Sequence, residues 1–203
     1  MKDLVLYIHG KGGSASESAH YQLLFPEHDV LGLDYQGVTP WEAGPEISTA
    51  VKQLKTKYER ITLISNSIGA YFSMSAEIED LIEKAYFIFP IVDMEKLIQD
   101  MMAWAGVTEA ELKARGVIPT AFSEELSWAY LCYVREHPIR WHVPTSILYG
   151  ENDNLTFLET IRTFAKEHKA VLTVMEHGEH WFHADHSLLQ SVGKIPDAGP
   201  VYD

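Results

Sequence analysis

Residues 61–70 read Ile61-Thr62-Leu63-Ile64-Ser65-Asn66-Ser67-Ile68-Gly69-Ala70. A short, largely β-branched apolar run has the composition of a buried strand. It breaks at Ser-Asn-Ser-Ile-Gly, and a helix-like segment rich in small residues follows. A strand that becomes a helix over so few residues must turn a sharp, strained corner, and the residue at its tip, Ser67, is left protruding. The positions two before and two after that tip must be small, and Ser65 and Gly69 occupy them. Glycine at both is the commoner arrangement, so Ser65 is a mild departure.

Outward from this corner, strands and helices alternate. Leu4–His9, Val30–Asp34, Ile61–Ile64, Ala85–Val92, Thr145–Tyr149 and Ala170–Met175 read as strands. Ser14-Ala15-Ser16-Glu17 and Thr39-Pro40-Trp41-Glu42 are capping boxes that open helices, the second expected to run to about Tyr58. Ile68–Ile82 is expected to be helical. Thr156-Phe157-Leu158-Glu159 is expected to cap a helix that runs to about His168. A short helix from about Asp185 and a tail over 194–203 complete the reading. Alternation of this kind implies an α/β fold, a mostly parallel sheet with helices on both faces. Sites in such sheets gather at the carboxyl ends of the strands. Ser67, Asp153, His180 and the turn after His9 all lie just past strand ends.

Residues 93–143 interrupt the rhythm, because they give far more chain between two strands than one crossover helix needs. Asp93 before Met94–Trp104, Thr108-Glu109-Ala110-Glu111 and Ser123-Glu124-Glu125-Leu126 all read as helix starts. The segment is rich in large apolar side chains, including Met101, Met102, Trp104, Phe122, Trp128, Tyr130, Tyr133 and Trp141. We read a single domain, 1–203, with a helical cap at about 93–143.

The chain is 203 residues long, 46% hydrophobic and 22% charged, enough for one domain with a sizeable core. Sixteen Lys and Arg against 29 Asp and Glu leave a net charge of −13, which disfavours nucleic acid and anionic membranes as partners. The lone cysteine, Cys132, excludes an intrachain disulfide and any CxxC site; it reads as a small buried apolar residue. The first apolar run is too short for a signal peptide or a membrane span. The expectation is a cytoplasmic protein without membrane insertion, and oligomeric state stays open.

Taken together, the motifs resemble those of the α/β-hydrolase family, in its compact serine esterase form with a helical cap. The likeness runs from Leu4 to about Gly193. His9-Gly10-Lys11-Gly12 matches the family's His-Gly-x-Gly after the first strand. Asp34-Tyr35-Gln36-Gly37 matches Asp-x-x-Gly, and Ser67 falls in the nucleophile elbow. Gly150-Glu151-Asn152-Asp153 and Gly178-Glu179-His180-Trp181-Phe182 match the acid and histidine loops. The resemblance implies a Ser67–His180–Asp153 triad acting through an acyl-enzyme, with no cofactor and a small-molecule ester as substrate. It puts the oxyanion donors at the backbone N–H groups of Ile68 and Lys11. Met101, Met102, Trp104, Trp128 and Trp181 are candidates for the substrate pocket.

The chemistry suits these types. A serine hydroxyl is a weak nucleophile at neutral pH and needs a base such as His180, oriented by a carboxylate such as Asp153. Asp93 is a rival acid, since it also follows a strand, although an N-cap is wanted where it stands. His9 reads as structural support beneath the oxyanion turn, and the Lys11 side chain as solvated. His177, His180, His183 and His186, with Asp185, are spaced three apart and raise the alternative of a zinc site. The preferred reading is one catalytic histidine among loop neighbours, with no metal. A lyase or a ligand-binding protein of the same fold is the alternative function.

Overall fold

The computed structural model describes residues 2–180, which form two compact units, 93–139 and the remainder of the chain. In the larger unit six strands form one parallel sheet: β1 (Lys2–Ile8), β2 (Asp29–Leu33), β3 (Tyr58–Asn66), β4 (Lys84–Ile88), β7 (Thr145–Gly150) and β8 (Val171–Met175). Their order is β2-β1-β3-β4-β7-β8, and every neighbouring pair runs parallel. After β2 the chain crosses to the other side of β1, so the strand order reverses between β1 and β3. That is where a parallel sheet opens a crevice at its carboxyl edge.

The sheet is buried on both faces. Val5, Tyr7, Ile64, Tyr86, Ile88 and Leu148 form one apolar cluster with Tyr21 and Phe89, against which Leu24, Phe25 and Val30 pack. Successive side chains of a strand point to opposite faces, and the alternate set Leu4, Leu6, Ile8, Leu63, Phe87 and Ile147 is also buried. The central strands β1, β3, β4 and β7 run buried over most of their length rather than alternating buried and exposed, as expected when helices cover both sides.

Helix α1 (Pro40–Lys55) starts at the Thr39 box, where Glu42 accepts the Thr39 N–H, and buries Ala43, Gly44, Ile47 and Val51. It ends three residues before Tyr58, which begins β3 and donates its hydroxyl to Asp29. The expectation of helix to Tyr58 is corrected by that strand pairing. Residues Ala15–Tyr21 form a 3-10 turn rather than an α-helix. Helix α2 (Ile68–Met74) stops early, with Glu77 at φ 53 and a 3-10 turn at Glu79–Leu81. Helix α6 (Leu158–Glu167) begins after Phe157, and Thr156 does not cap it.

The smaller unit contains α3 (Met94–Ala105), α4 (Glu109–Arg115), β5 (Val117–Pro119), β6 (Glu125–Ser127) and α5 (Trp128–Glu136). Asp93 caps α3 by accepting the Lys96 N–H, and Thr108 and Glu111 form the box of α4. Arg135 bridges Glu95 and Glu109 and ties the three helices together. The helix expected from Ser123 is instead the end of a hairpin. Ile118 pairs with Leu126, Thr120 closes the loop onto the Glu124 carbonyl, and Ser123 sits at φ 63, outside helical space. The unit is therefore helical with an added two-stranded sheet. Trp141 belongs to the larger unit, where it is buried on Phe87 and donates to the Thr145 hydroxyl. Cys132 is a half-buried free thiol. Among the described residues no helix is long and apolar enough to cross a membrane.

Candidate active site

Ser67 stands at φ 51, ψ −122, between β3 and α2. A non-glycine residue in this region costs about 1–3 kcal/mol and persists only where its surroundings over-determine it. Here the end of β4 does so. The Ser67 N–H donates to the Ile88 carbonyl at 3.0 Å, and its carbonyl accepts the N–H groups of Ile91 and Ala70, each at 3.1 Å. Gly69 then lets α2 rest on the end of β1, since a β-carbon there would fall 2.4 Å from the His9 carbonyl oxygen. Ser65 fits where glycine is commoner because its hydroxyl has a buried partner. Ser73 donates to the Gly69 carbonyl at 2.7 Å, and Ser65 donates to Ser73 at 3.0 Å.

At the sheet's reversal, the turn after β1 lies against the elbow: a β-carbon on Gly10 would be 3.1 Å from that of Ser67. The turn closes through Gly13 N–H to the Gly10 carbonyl at 3.1 Å, with Gly12 at φ 74. Lys11 is exposed in this turn, and Ile68, the residue after Ser67, is the first of α2. His9 is buried, stacked on the Tyr35 ring at 4.3 Å, with Nδ1 2.9 Å from the Gly10 carbonyl.

Asp153 and His180 meet behind the serine. Ser67 Oγ is 2.8 Å from His180 Nε2, and His180 Nδ1 is 2.7 Å from Asp153 Oδ2. A carboxylate only accepts, so Nδ1 carries the proton and Nε2 accepts from the serine hydroxyl. The Asp153 and His180 side chains are 0% and 1% exposed, which strengthens both bonds by excluding water. Glycine allows the two loops to touch: a β-carbon on Gly150 would be 2.6 Å from the Gly178 carbonyl oxygen. Asn152 N–H donates to that same carbonyl at 2.7 Å.

Thr156 is the residue the sequence did not single out for this site. Its hydroxyl donates to Asp153 Oδ2 at 3.1 Å, and Asp153 Oδ1 accepts the N–H groups of Leu155 at 2.8 Å and Thr156 at 3.0 Å. Tyr149 of β7 braces this loop by donating to the Thr156 carbonyl. A threonine just ahead of a helix reads as an N-cap, so no local signal separates the two roles.

Burial alone would raise the Asp153 carboxyl. The His180 ring, with the Thr156 and Leu155 N–H groups, outweighs it and holds the carboxyl below the usual 3.8. Such a group stabilises the fold above its unfolded pKa, and the contribution disappears as pH falls through the lower folded value. Urea midpoints of the wild type are therefore expected to fall more steeply than those of Asp153→Asn below about pH 4. Parallel slopes would show that the native carboxylate gains nothing from these partners.

Asp93, the rival acid, has its carboxylate on the α3 N-terminus, accepting the Lys96 N–H. Of the pocket candidates, Met102 is buried, Trp104 meets Phe122 edge to face at 6.2 Å, and Lys113 lies over the Trp128 ring. These residues and Met101 belong to the smaller unit. Trp181 lies outside the described residues, as do His183, Asp185, His186, the helix expected from Asp185 and the tail. Among the described residues no group of three or more His, Cys, Asp or Glu is placed to hold a metal ion.

Solved structures superpose on this fold over most of the chain. Est1E from Butyrivibrio proteoclasticus superposes with a TM-score of 0.73 at 20% identity, over 95% of this chain and 86% of that one. Est1E is also known with ferulic acid bound. The fold is that of the α/β-hydrolases. Mouse alpha/beta hydrolase domain-containing protein 10 matches at TM-score 0.68 and 15% identity, covering 94% of this chain and 88% of its own. An esterase of Pyrococcus furiosus matches at TM-score 0.63 and 22% identity, covering 95% and 81%. No family model and no curated protein matches this chain by sequence.

Proposed function

We propose that the protein is a serine hydrolase that cleaves carboxylic esters through an acyl-enzyme. The observation that carries this reading is the unbroken chain from Ser67 Oγ through His180 to Asp153, at 2.8 and 2.7 Å, on a strained elbow. His180 Nε2 takes the serine proton as Oγ attacks the ester carbonyl. Asp153 holds the Nδ1–H tautomer and stabilises the imidazolium. The carbonyl oxygen becomes an oxyanion, held by the backbone N–H groups of Ile68 and Lys11. His180 then gives its proton to the departing alkoxide, and the acyl group stays on Ser67. Water, deprotonated by His180, attacks the acyl carbonyl; collapse releases the acid and restores the serine.

A fluorophosphonate probe tests the reading directly, because it reacts with an activated serine irrespective of the natural substrate. Label mapped to Ser67 and lost in His180→Ala is the expected result. Folded protein that takes no label would overturn it in favour of a ligand-binding member of the fold. Aryl esters, ferulic acid esters among them because of the ligand bound to Est1E, belong in the first substrate panel.

A further inference from the structure

The turn that carries Lys11 has a support that the triad does not use. Tyr7 of β1 is 1% exposed, and its hydroxyl donates to Glu17 Oε2 at 2.5 Å. Glu17 Oε1 accepts the Ser14 N–H at 3.1 Å, one residue beyond the turn. A β-carbon on Gly13 would lie 2.8 Å from Glu17 Oε1, so the carboxylate rests directly on the last residue of the turn.

Capping alone does not account for this arrangement. A capping-box glutamate needs one bond to the N-cap N–H, whereas Glu17 gives its second oxygen to a buried phenol of the central sheet. A charge-assisted bond of this kind is short and strong. It joins the glycine-rich turn to β1, the strand that precedes it. Gly10, Gly12 and Gly13 leave the turn with wide backbone freedom, yet an oxyanion donor must be held in place before the charge develops.

We propose that Glu17, clamped by Tyr7, is a positioning residue that fixes the Gly10–Gly13 turn so that the Lys11 N–H stays aimed at the developing oxyanion. The inference rests on the hydrolase reading above. The test compares wild type with Glu17→Ala, Glu17→Gln, Tyr7→Phe and Gly13→Ala; the last displaces the carboxylate while keeping every hydrogen-bonding group. Steady-state kinetics on a cinnamoyl ester give kcat and KM, and the infrared carbonyl stretch of the cinnamoyl-enzyme reports how strongly the oxyanion donors polarise it.

A roughly tenfold loss of kcat with little change in KM, and a carbonyl band moved to higher frequency, are expected for Glu17→Ala and Gly13→Ala. Glu17→Gln, which keeps one acceptor oxygen, recovers part of the loss. Variants that lose only thermal stability, with kcat and band unchanged and Ser67 still labelled by fluorophosphonate, would overturn this inference alone. Absence of label on the wild type would overturn the hydrolase reading and this inference with it.

Discussion

Ser67→Ala is expected to lower kcat on an aryl ester by a factor on the order of 10⁴ or more, with the fold intact. The reason is chemical. Once Oγ is gone, no acyl-enzyme forms, and what remains is water attack assisted by whatever oxyanion stabilisation survives. Stability should change little. Alanine at φ 51 bears the same backbone strain as serine, and the three backbone bonds that pin the corner do not involve the hydroxyl. The loss is the single 2.8 Å bond to His180, worth about 1 kcal/mol net. Turnover retained by Ser67→Ala, with the far-UV circular dichroism unchanged, would remove Ser67 from the mechanism.

The second large effect is Asp153→Asn, for which a kcat loss of roughly 10⁴ is expected. The amide still accepts backbone N–H groups, but with its NH₂ toward the ring it cannot accept the hydrogen bond from His180 Nδ1–H. The imidazole is then driven to the tautomer with the proton on Nε2, where it cannot act as base toward Ser67. Asp93→Asn is the control. Its carboxylate accepts from the α3 N-terminus, so a stability loss of about 1 kcal/mol or less is expected, with kcat retained. The opposite pair of results would transfer the acid role to Asp93.

Several elements were legible because their signals are short-range. The apolar run at 61–64 and the small residues around Ser67 announce a strand and a tight corner within ten residues. Thr39 with Glu42, and Thr108 with Glu111, announce helix starts through bonds three residues apart. The 117–127 hairpin was not legible in the same way. Ser123-Glu124-Glu125 carries a helix-start pattern, but pairing of Ile118 with Leu126 and burial of both override it. Thr156 shows the same conflict. Its local pattern says N-cap, and the loop of Asp153 takes its hydroxyl instead. Ser65 was read as a departure, and only the buried Ser73 hydroxyl eight residues on explains why it fits.

By itself the sequence determined the alternation of elements, the strained corner at Ser67 and the chain order Ser, Asp, His, since each depends on propensity, turn geometry or spacing along the backbone. Only the tertiary structure decided which acid faces the histidine, and that the turn after β1 lies against the elbow. Ser67 and His180 are 113 positions apart, and their 2.8 Å contact follows from strand order, which reverses between β1 and β3 and aligns the loops after β1, β3, β7 and β8 along one edge. A hydrogen bond has no signature in a sequence when its partners are brought together by a sheet that many distant residues build jointly.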